Sequence, residues 1–78
     1  MNLQIVTPDS SLFDGEASLV KLPGIDGSFE VLENHAPLIS VLKSGELKVI
    51  KADKSEAFFS IKGGVVEVLH NKVLILVQ

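Results

Sequence analysis

Two histidines are the only side chains of this sequence that ordinarily titrate near neutral pH, so they are the first candidates for chemistry. His35 follows Glu33 closely and could serve as a general base, or as a metal ligand together with Asp26 or Glu30. The spacing supports neither role, because the sequence has no cysteine, no Gly-x-Ser-x-Gly nucleophile and no ligand repeat. His35 and His70 both lie in predicted turns, where solvated histidines are common. We therefore expect no catalytic residue, no metal site and no cofactor.

The carboxylates and glycines also fail to form a reaction centre. Asp26, Glu30 and Glu33 lie close together, but glycoside hydrolysis needs a cleft with aromatic side chains, and the sequence has no Trp or Tyr. Neither Gly24-Ile25-Asp26-Gly27 nor Gly63-Gly64 opens a predicted helix, so neither can hold a phosphate at a helix N-terminus. We interpret the acids as a solvated rim and expect no ATP binding.

The composition predicts a partner surface instead. The chain has 78 residues, of which 46% are hydrophobic. A domain of this size buries only about 60% of the surface that its unfolded chain exposes. Some of the Val, Leu and Ile should therefore form an exposed apolar face that binds another protein. The alternative is a tightly filled sandwich with scattered apolar exposure.

Charge and hydropathy exclude several other classes. The net charge is −3 and the seven basic residues are all lysines spread along the chain, which argues against a nucleic-acid binder. Apolar runs such as Val73 to Val77 are too short to cross a bilayer, and the N-terminus lacks the pattern of a signal peptide. We expect a soluble, unexported chain that can still dock on a membrane complex.

The elements that carry these residues are predicted to be strands, because the dominant hydrophobic period is two. Turn signals recur along the chain, with Pro23-Gly24, Gly63-Gly64 and His70-Asn71 the clearest, and Asn71 is suited to a positive φ. We predict one domain over residues 1–78, an all-β sandwich or barrel of roughly eight to ten mostly antiparallel strands. Within Leu12 to Leu22 we predict a bulge or a bend at Gly15.

Three strands carry details that a structure can test. In Leu12 to Leu22, Ala17 and Leu19 are predicted on one face and Val20 on the other. Leu38 to Leu42 and Val73 to Val77 carry apolar residues on both faces, although a sandwich strand covers the core with one side only. We interpret these two runs as carriers of the partner face, rather than as central strands covered by other elements.

One stretch resembles a known family. The run Leu22-Pro23-Gly24-Ile25-Asp26-Gly27-Ser28-Phe29-Glu30-Val31-Leu32, followed by Asn34-His35-Ala36-Pro37-Leu38, is similar to the signature of the epsilon subunit of the rotary F-type ATP synthase. Phe13-x-Gly15 and Gly63-Gly64-Val65-Val66-Glu67-Val68 match further family motifs. The resemblance covers residues 2 to 78.

The resemblance implies a flattened β-sandwich that packs against the gamma subunit and rests its loops on the membrane-embedded ring of c subunits. Such a subunit is not an enzyme by itself; it sits in the central stalk and supports proton-driven ATP synthesis, at the cytoplasmic face of the bacterial inner membrane. The matching positions place Thr7, Leu38, Ser40 and Leu42 near gamma. They place Asp26, Ser28 and His35 in loops that face the c ring.

Two departures from the family qualify this expectation. The position of Ser28 is often acidic in the family, so a salt bridge to the c ring would fall to Asp26 or Glu30. Many members continue into a C-terminal helical hairpin, whereas this sequence stops at Gln78; we expect a short form without that hairpin's inhibition or ATP sensing. The alternatives are a free-standing sandwich that binds a small ligand or carbohydrate, and a small hydrolase or metal enzyme.

Overall fold

The computed structural model describes residues 1–78 and consists of strands joined by turns, without a helix. The eight strands are β1 (Asn2–Val6), β2 (Ser11–Gly24), β3 (Gly27–Leu32), β4 (Leu38–Leu42), β5 (Gly45–Lys51), β6 (Glu56–Ile61), β7 (Gly64–Leu69) and β8 (Lys72–Val77). No helix is long and apolar enough to cross a membrane.

The strands form two layers that share β2. The first layer has the order β4-β7-β8-β1, and β1 also pairs with the first half of β2. The second layer consists of β3, β2, β5 and β6, with the second half of β2 paired on both sides. Only β1 and β8 are parallel. The prediction of an all-β, mostly antiparallel sandwich is confirmed.

The core lies between the layers and is entirely apolar. Sixteen hydrophobic residues are buried there, and no polar or charged residue is. The rings of Phe13 on β2 and Phe59 on β6 meet edge to face, with centroids 6.3 Å apart. Since β2 and β6 are not paired with each other, this contact helps to hold the layers together along one side.

The bulge in β2 lies later than predicted. Gly15 pairs regularly with Leu3, and the register against β5 shifts between Ala17 and Leu19 instead. A bulge inserts one residue and so reverses the alternation of faces beyond it. Ala17 and Val20 therefore both point into the core, whereas Leu19 lies half-buried on the outside. The predicted separation of Ala17 and Val20 onto opposite faces is wrong for this reason.

The turns gather at two ends of the sandwich. At one end, called the Gly63 end, lie the β2–β3 turn at Ile25, the β4–β5 turn at Lys43 and the β6–β7 turn. They are held together by bonds such as Ile25 N to Val41 O (3.0 Å) and Lys43 N to Pro23 O (2.9 Å).

The opposite end, called the His70 end, carries the β7–β8 turn and the segment after β3. His70 and Asn71 have φ values of 52° and 61°, so the prediction of positive φ at Asn71 is confirmed. The side-chain oxygen of Asn71 accepts a hydrogen bond from the backbone N–H of Asn34 at 2.8 Å. This bond joins the two turns across the end of the sandwich.

Candidate partner-binding face

The outer surface of the first layer carries a row of aliphatic side chains. Val41, Val65, Leu76 and Val6 are successive register partners on β4, β7, β8 and β1, so their side chains point to the same side. Val41 is 51% exposed, Val65 39% and Leu76 50%, while Val6 is half-buried. The row runs across all four strands near the Gly63 end.

A second row lies one pleat further from that end. Ile39, Glu67, Leu74 and Gln4 are register partners there, and Ile39 is 72% exposed. Together with exposed Leu69, the two rows form a surface that we call the apolar face, which consists of Val6, Ile39, Val41, Val65, Leu69, Leu74 and Leu76. Contiguous exposed apolar surface of this kind marks a protein–protein contact more often than an ordinary solvated sheet.

The outer surface of the second layer is different. Phe58 and Leu32 are about half exposed there, at 53% and 50%. Leu32 is followed across the layer by half-buried Leu19 and Ile50 and then by Glu56, whereas Phe58 ends a row whose other members, Lys48, Lys21 and Glu30, are charged. Lys48 and Glu56 approach within 3.8 Å. Of the two broad outer surfaces, that of the first layer is therefore the more apolar.

Most of the residues predicted to lie near gamma point away from this face. Leu38, Ser40 and Leu42 occupy the inward positions of β4, and Leu42 is 3% exposed as part of the core. Leu38 and Ser40 are half-buried, with Leu38 packed against the core. The outward positions of the strand are Ile39 and Val41. The side chain of Leu42 is therefore not available to a partner, because the folded sandwich already buries it.

Thr7 is the exception within that predicted set. It follows Val6 directly and borders an open groove at the Gly63 end, which continues the apolar row. Its hydroxyl oxygen accepts hydrogen bonds from the backbone N–H groups of Asp9 (3.2 Å) and Ser10 (2.9 Å). Thr7 thereby shapes the β1–β2 loop beside the face.

The residues predicted to face the c ring do not form one surface. Asp26 and Ser28 are exposed in and just after the β2–β3 turn, at the Gly63 end. His35 lies beyond β3 at the His70 end, where its backbone N–H donates to Leu32 O at 3.2 Å. The six residues of β3 separate the two sites by roughly 17–20 Å.

His35 and the residues around it make hydrogen bonds that hold the turns of the His70 end together. Its ring Nδ1 donates to the carbonyl oxygen of Ala36 at 2.8 Å. Nearby, Glu33 accepts hydrogen bonds from the amino group of Met1 and, at 3.0 Å, from the side-chain amide of Asn71. Both hydrogen bonds lower the pKa of the Glu33 carboxyl below its usual value, and the one from the Met1 amine has the larger effect. These contacts fix the turns of the His70 end.

Sequence reasoning assigned the partner face to Leu38 to Leu42 and Val73 to Val77, which contain Ile39, Val41 and Leu76, but it did not single out these three residues as contacts and it missed Val65. A usable signal was present in Gly64–Leu69, where Val66 and Val68 alternate with charged Glu67. Glu67 must point outward, and its register partners on the neighbouring strands point the same way. The exposed positions of β4 and β8 follow from that single residue once the pairing is known.

Comparison with known proteins agrees with this description. The family described as "ATP synthase, Delta/Epsilon chain, beta-sandwich domain" matches residues 1–78. The epsilon chain of Chlorobium limicola is 46% identical over 76 residues, which cover 97% of this chain and 86% of that one. The epsilon chain of Sulfurimonas denitrificans is 44% identical over 78 residues, covering all of this chain and 60% of that one.

Two solved structures share the fold. A chain of the Euglena gracilis mitochondrial ATP synthase, in a structure of OSCP, F1 and c ring, superposes with a TM-score of 0.90 at 22% identity. The match covers 96% of this chain and 48% of that one. A chain of the Tetrahymena thermophila mitochondrial ATP synthase, in a structure of the central stalk and c ring, gives a TM-score of 0.82 at 25% identity. It covers this whole chain and 63% of the other.

Proposed function

This chain belongs to the family of ATP synthase delta/epsilon chain β-sandwich domains, and from that premise we propose that it is a non-catalytic central-stalk subunit. It links the gamma subunit to the membrane-embedded c ring and so supports proton-driven ATP synthesis. Its place is then peripheral, at the cytoplasmic face of the bacterial inner membrane. The apolar face is the observation that carries the proposal.

The gamma subunit is proposed to cover the apolar face. Water is displaced there from Ile39, Val41, Val65 and Leu76, whose burial contributes about 25 cal/mol per Å² of apolar surface. A stable interface clears about 1,000 Å² in total, which needs most of one broad side of an object measuring 27 × 24 × 19 Å. The face spans four strands, so it extends over such a side. Of the predicted gamma-contact residues, Thr7 retains that role in this arrangement.

The c ring is proposed to meet the Gly63 end through Asp26 and Ser28. Loops at the end of the strands and a broad sheet surface can be occupied together, since they lie on different sides of the molecule. Asp26 lies in the turn at this end, just before β3, whereas Glu30 lies two residues beyond Ser28 within β3 and opposite Lys21. Asp26 is therefore the better candidate to replace the acidic residue that the family often has at Ser28.

Binding to gamma tests the proposed face with a matched pair of variants. Val41 and Phe58 are 51% and 53% exposed and lie on the outer surfaces of opposite layers. Val41→Arg should abolish co-purification with the gamma subunit, because an arginine there has to be desolvated among aliphatic side chains. Phe58→Arg should leave it intact. Retained binding by Val41→Arg, or loss with Phe58→Arg, would refute the assignment of the face.

Coupling is tested in the assembled enzyme. An ATP synthase depleted of this subunit should regain ATP synthesis driven by a proton gradient when the purified chain is added. The isolated chain should not hydrolyse ATP. Asp26→Ala, compared with Glu30→Ala, should weaken the restoration. Full restoration by Asp26→Ala would remove that residue from the proposed contact with the ring.

A further inference from the structure

One carboxylate stands in the middle of the apolar face. Glu67 on β7 is exposed, and its register partners on the two adjacent strands are Ile39 and Leu74. Along β7, the nearest side chains on the same side are Val65 and Leu69, which are 39% and 45% exposed. The four nearest positions around Glu67 on this surface are thus all aliphatic.

This carboxylate makes no ion pair within the chain. The ion pairs present are those of the Met1 amine with Glu16 and Glu33, and that of Lys48 with Glu56. Lys72 is the cation nearest by register, because it pairs with Leu69 and so lies diagonal to Glu67. It makes no contact with Glu67 within 4.0 Å. A solvated glutamate tolerates this arrangement as long as water covers the face.

Covering the face changes the energetics of Glu67. A partner that displaces water from Ile39 and Leu74 on both sides of Glu67 also removes water from its carboxylate. An ionised carboxylate left without a partner in an apolar contact costs far more than the neighbouring aliphatic groups return. A positive charge that the partner brings to this position offsets that cost.

We propose, on the basis of the gamma assignment above, that the partner surface consists of aliphatic side chains around one lysine or arginine that pairs with Glu67. Aliphatic contact is not directional, and the rows of the apolar face repeat at the pleat spacing. Apolar contact alone therefore allows several alignments of the two surfaces. A single desolvated charge pair selects one of them, because sliding the partner by one row leaves both charges buried and unpaired. Glu67 thus sets the register between the two subunits and selects against partners that lack the cation.

The test compares Glu67→Gln with Glu46→Gln, a glutamate on the outer surface of the second layer. Affinity for the purified gamma subunit is measured by titration calorimetry at low and high salt, and circular dichroism verifies that each variant is folded. The Glu67→Gln Kd should rise by about tenfold to a hundredfold. The Glu46→Gln Kd should stay within about twofold of wild type, as expected for a charge outside the contact.

The outcomes separate this inference from the proposal on which it rests. If Val41→Arg disrupts binding while Glu67→Gln binds as tightly as wild type, or more tightly, then the face is right and the charge pair is wrong. If Val41→Arg binds normally, the face itself is wrong and the inference falls with it. Because salt screens a desolvated pair only weakly, the difference in Kd between wild type and Glu67→Gln should persist at high salt, and its disappearance there would overturn the buried pair.

Discussion

Strand β4 offers a direct test of which of its sides belongs to the core. Ile39 and Leu42 are isomers, so truncating either to alanine removes the same number of carbon atoms. Leu42 is 3% exposed and packs in the core, whereas Ile39 is 72% exposed. Leu42→Ala should therefore lower the free energy of unfolding by about 2–5 kcal/mol, the range for leucines truncated in cores. Ile39→Ala should lower it by less than about 1 kcal/mol.

That difference is large for so small a domain. A chain of 78 residues has a total stability of about 4–12 kcal/mol. Each kcal/mol shifts the Tm of such a domain by roughly 4–8 °C, so Leu42→Ala, at about 2–5 kcal/mol, should melt about 8–40 °C below wild type. Thermal and urea unfolding followed by far-UV circular dichroism measure both variants. Binding should show the reverse order at a temperature where both are folded, with Ile39→Ala the weaker binder of gamma.

Equal loss of stability in the two variants would show that β4 buries both sides in the isolated chain, which would remove the apolar face. A stable Leu42→Ala variant that fails to bind gamma would return Leu42 to the interface, where the family resemblance placed it.

Two further predictions follow from local geometry. Gly64→Ala should destabilise the sandwich by about 1–3 kcal/mol, since a Cβ at Gly64 collides with the carbonyl oxygen of Leu76 and lies 3.2 Å from Val77 Cα. Gly15→Ala is the control: its Cβ meets nothing closer than 3.6 Å, so the urea midpoint should change little. The side-chain and then the backbone hydrogen bond from Ser55 lower the pKa of Asp53 below 3.8, so the stability it contributes is present above that pH and is lost as the pH falls through the folded pKa. Asp53→Asn should therefore be less stable at neutral pH and lose less stability on acidification, and unchanged acid unfolding would contradict this.

The fold class followed from features that are local in the sequence. The dominant hydrophobic period of two and the recurring turn signals predicted strands, and the structure confirms an all-β, mostly antiparallel fold. The turn at His70-Asn71 was equally readable, because a two-residue hairpin turn with positive φ favours asparagine. Such signals depend on the backbone of a few neighbouring residues, so they can be recognised without knowing which strands pair.

The bulge in β2 could not be located in the same way. A glycine suggests where a strand can deform, but the shift between Ala17 and Leu19 arises where β2 leaves β1 and begins to pair with β5. That change of partner joins segments far apart in the chain. The phase of the second half of β2 therefore depends on a tertiary contact, and the alternation read from Ala17 onward was inverted.

The side of β4 that faces outward could not be read from the strand alone, for a related reason. Leu38 to Leu42 contains aliphatic residues at both parities and one polar residue, Ser40, which sits on the inward side opposite Val66. Taking the polar residue as the outward one thus assigns the wrong side of β4 to solvent, because the pairing with β7 determines which side faces outward. Glu67 cannot be buried unpaired, so β7 has only one allowed phase, and its register imposes that phase on β4 and β8. Glu67 thus orients three strands within the subunit, and it is also the residue that needs a cation once the face is covered. Its substitution therefore tests both its outward position on the sheet and the interface.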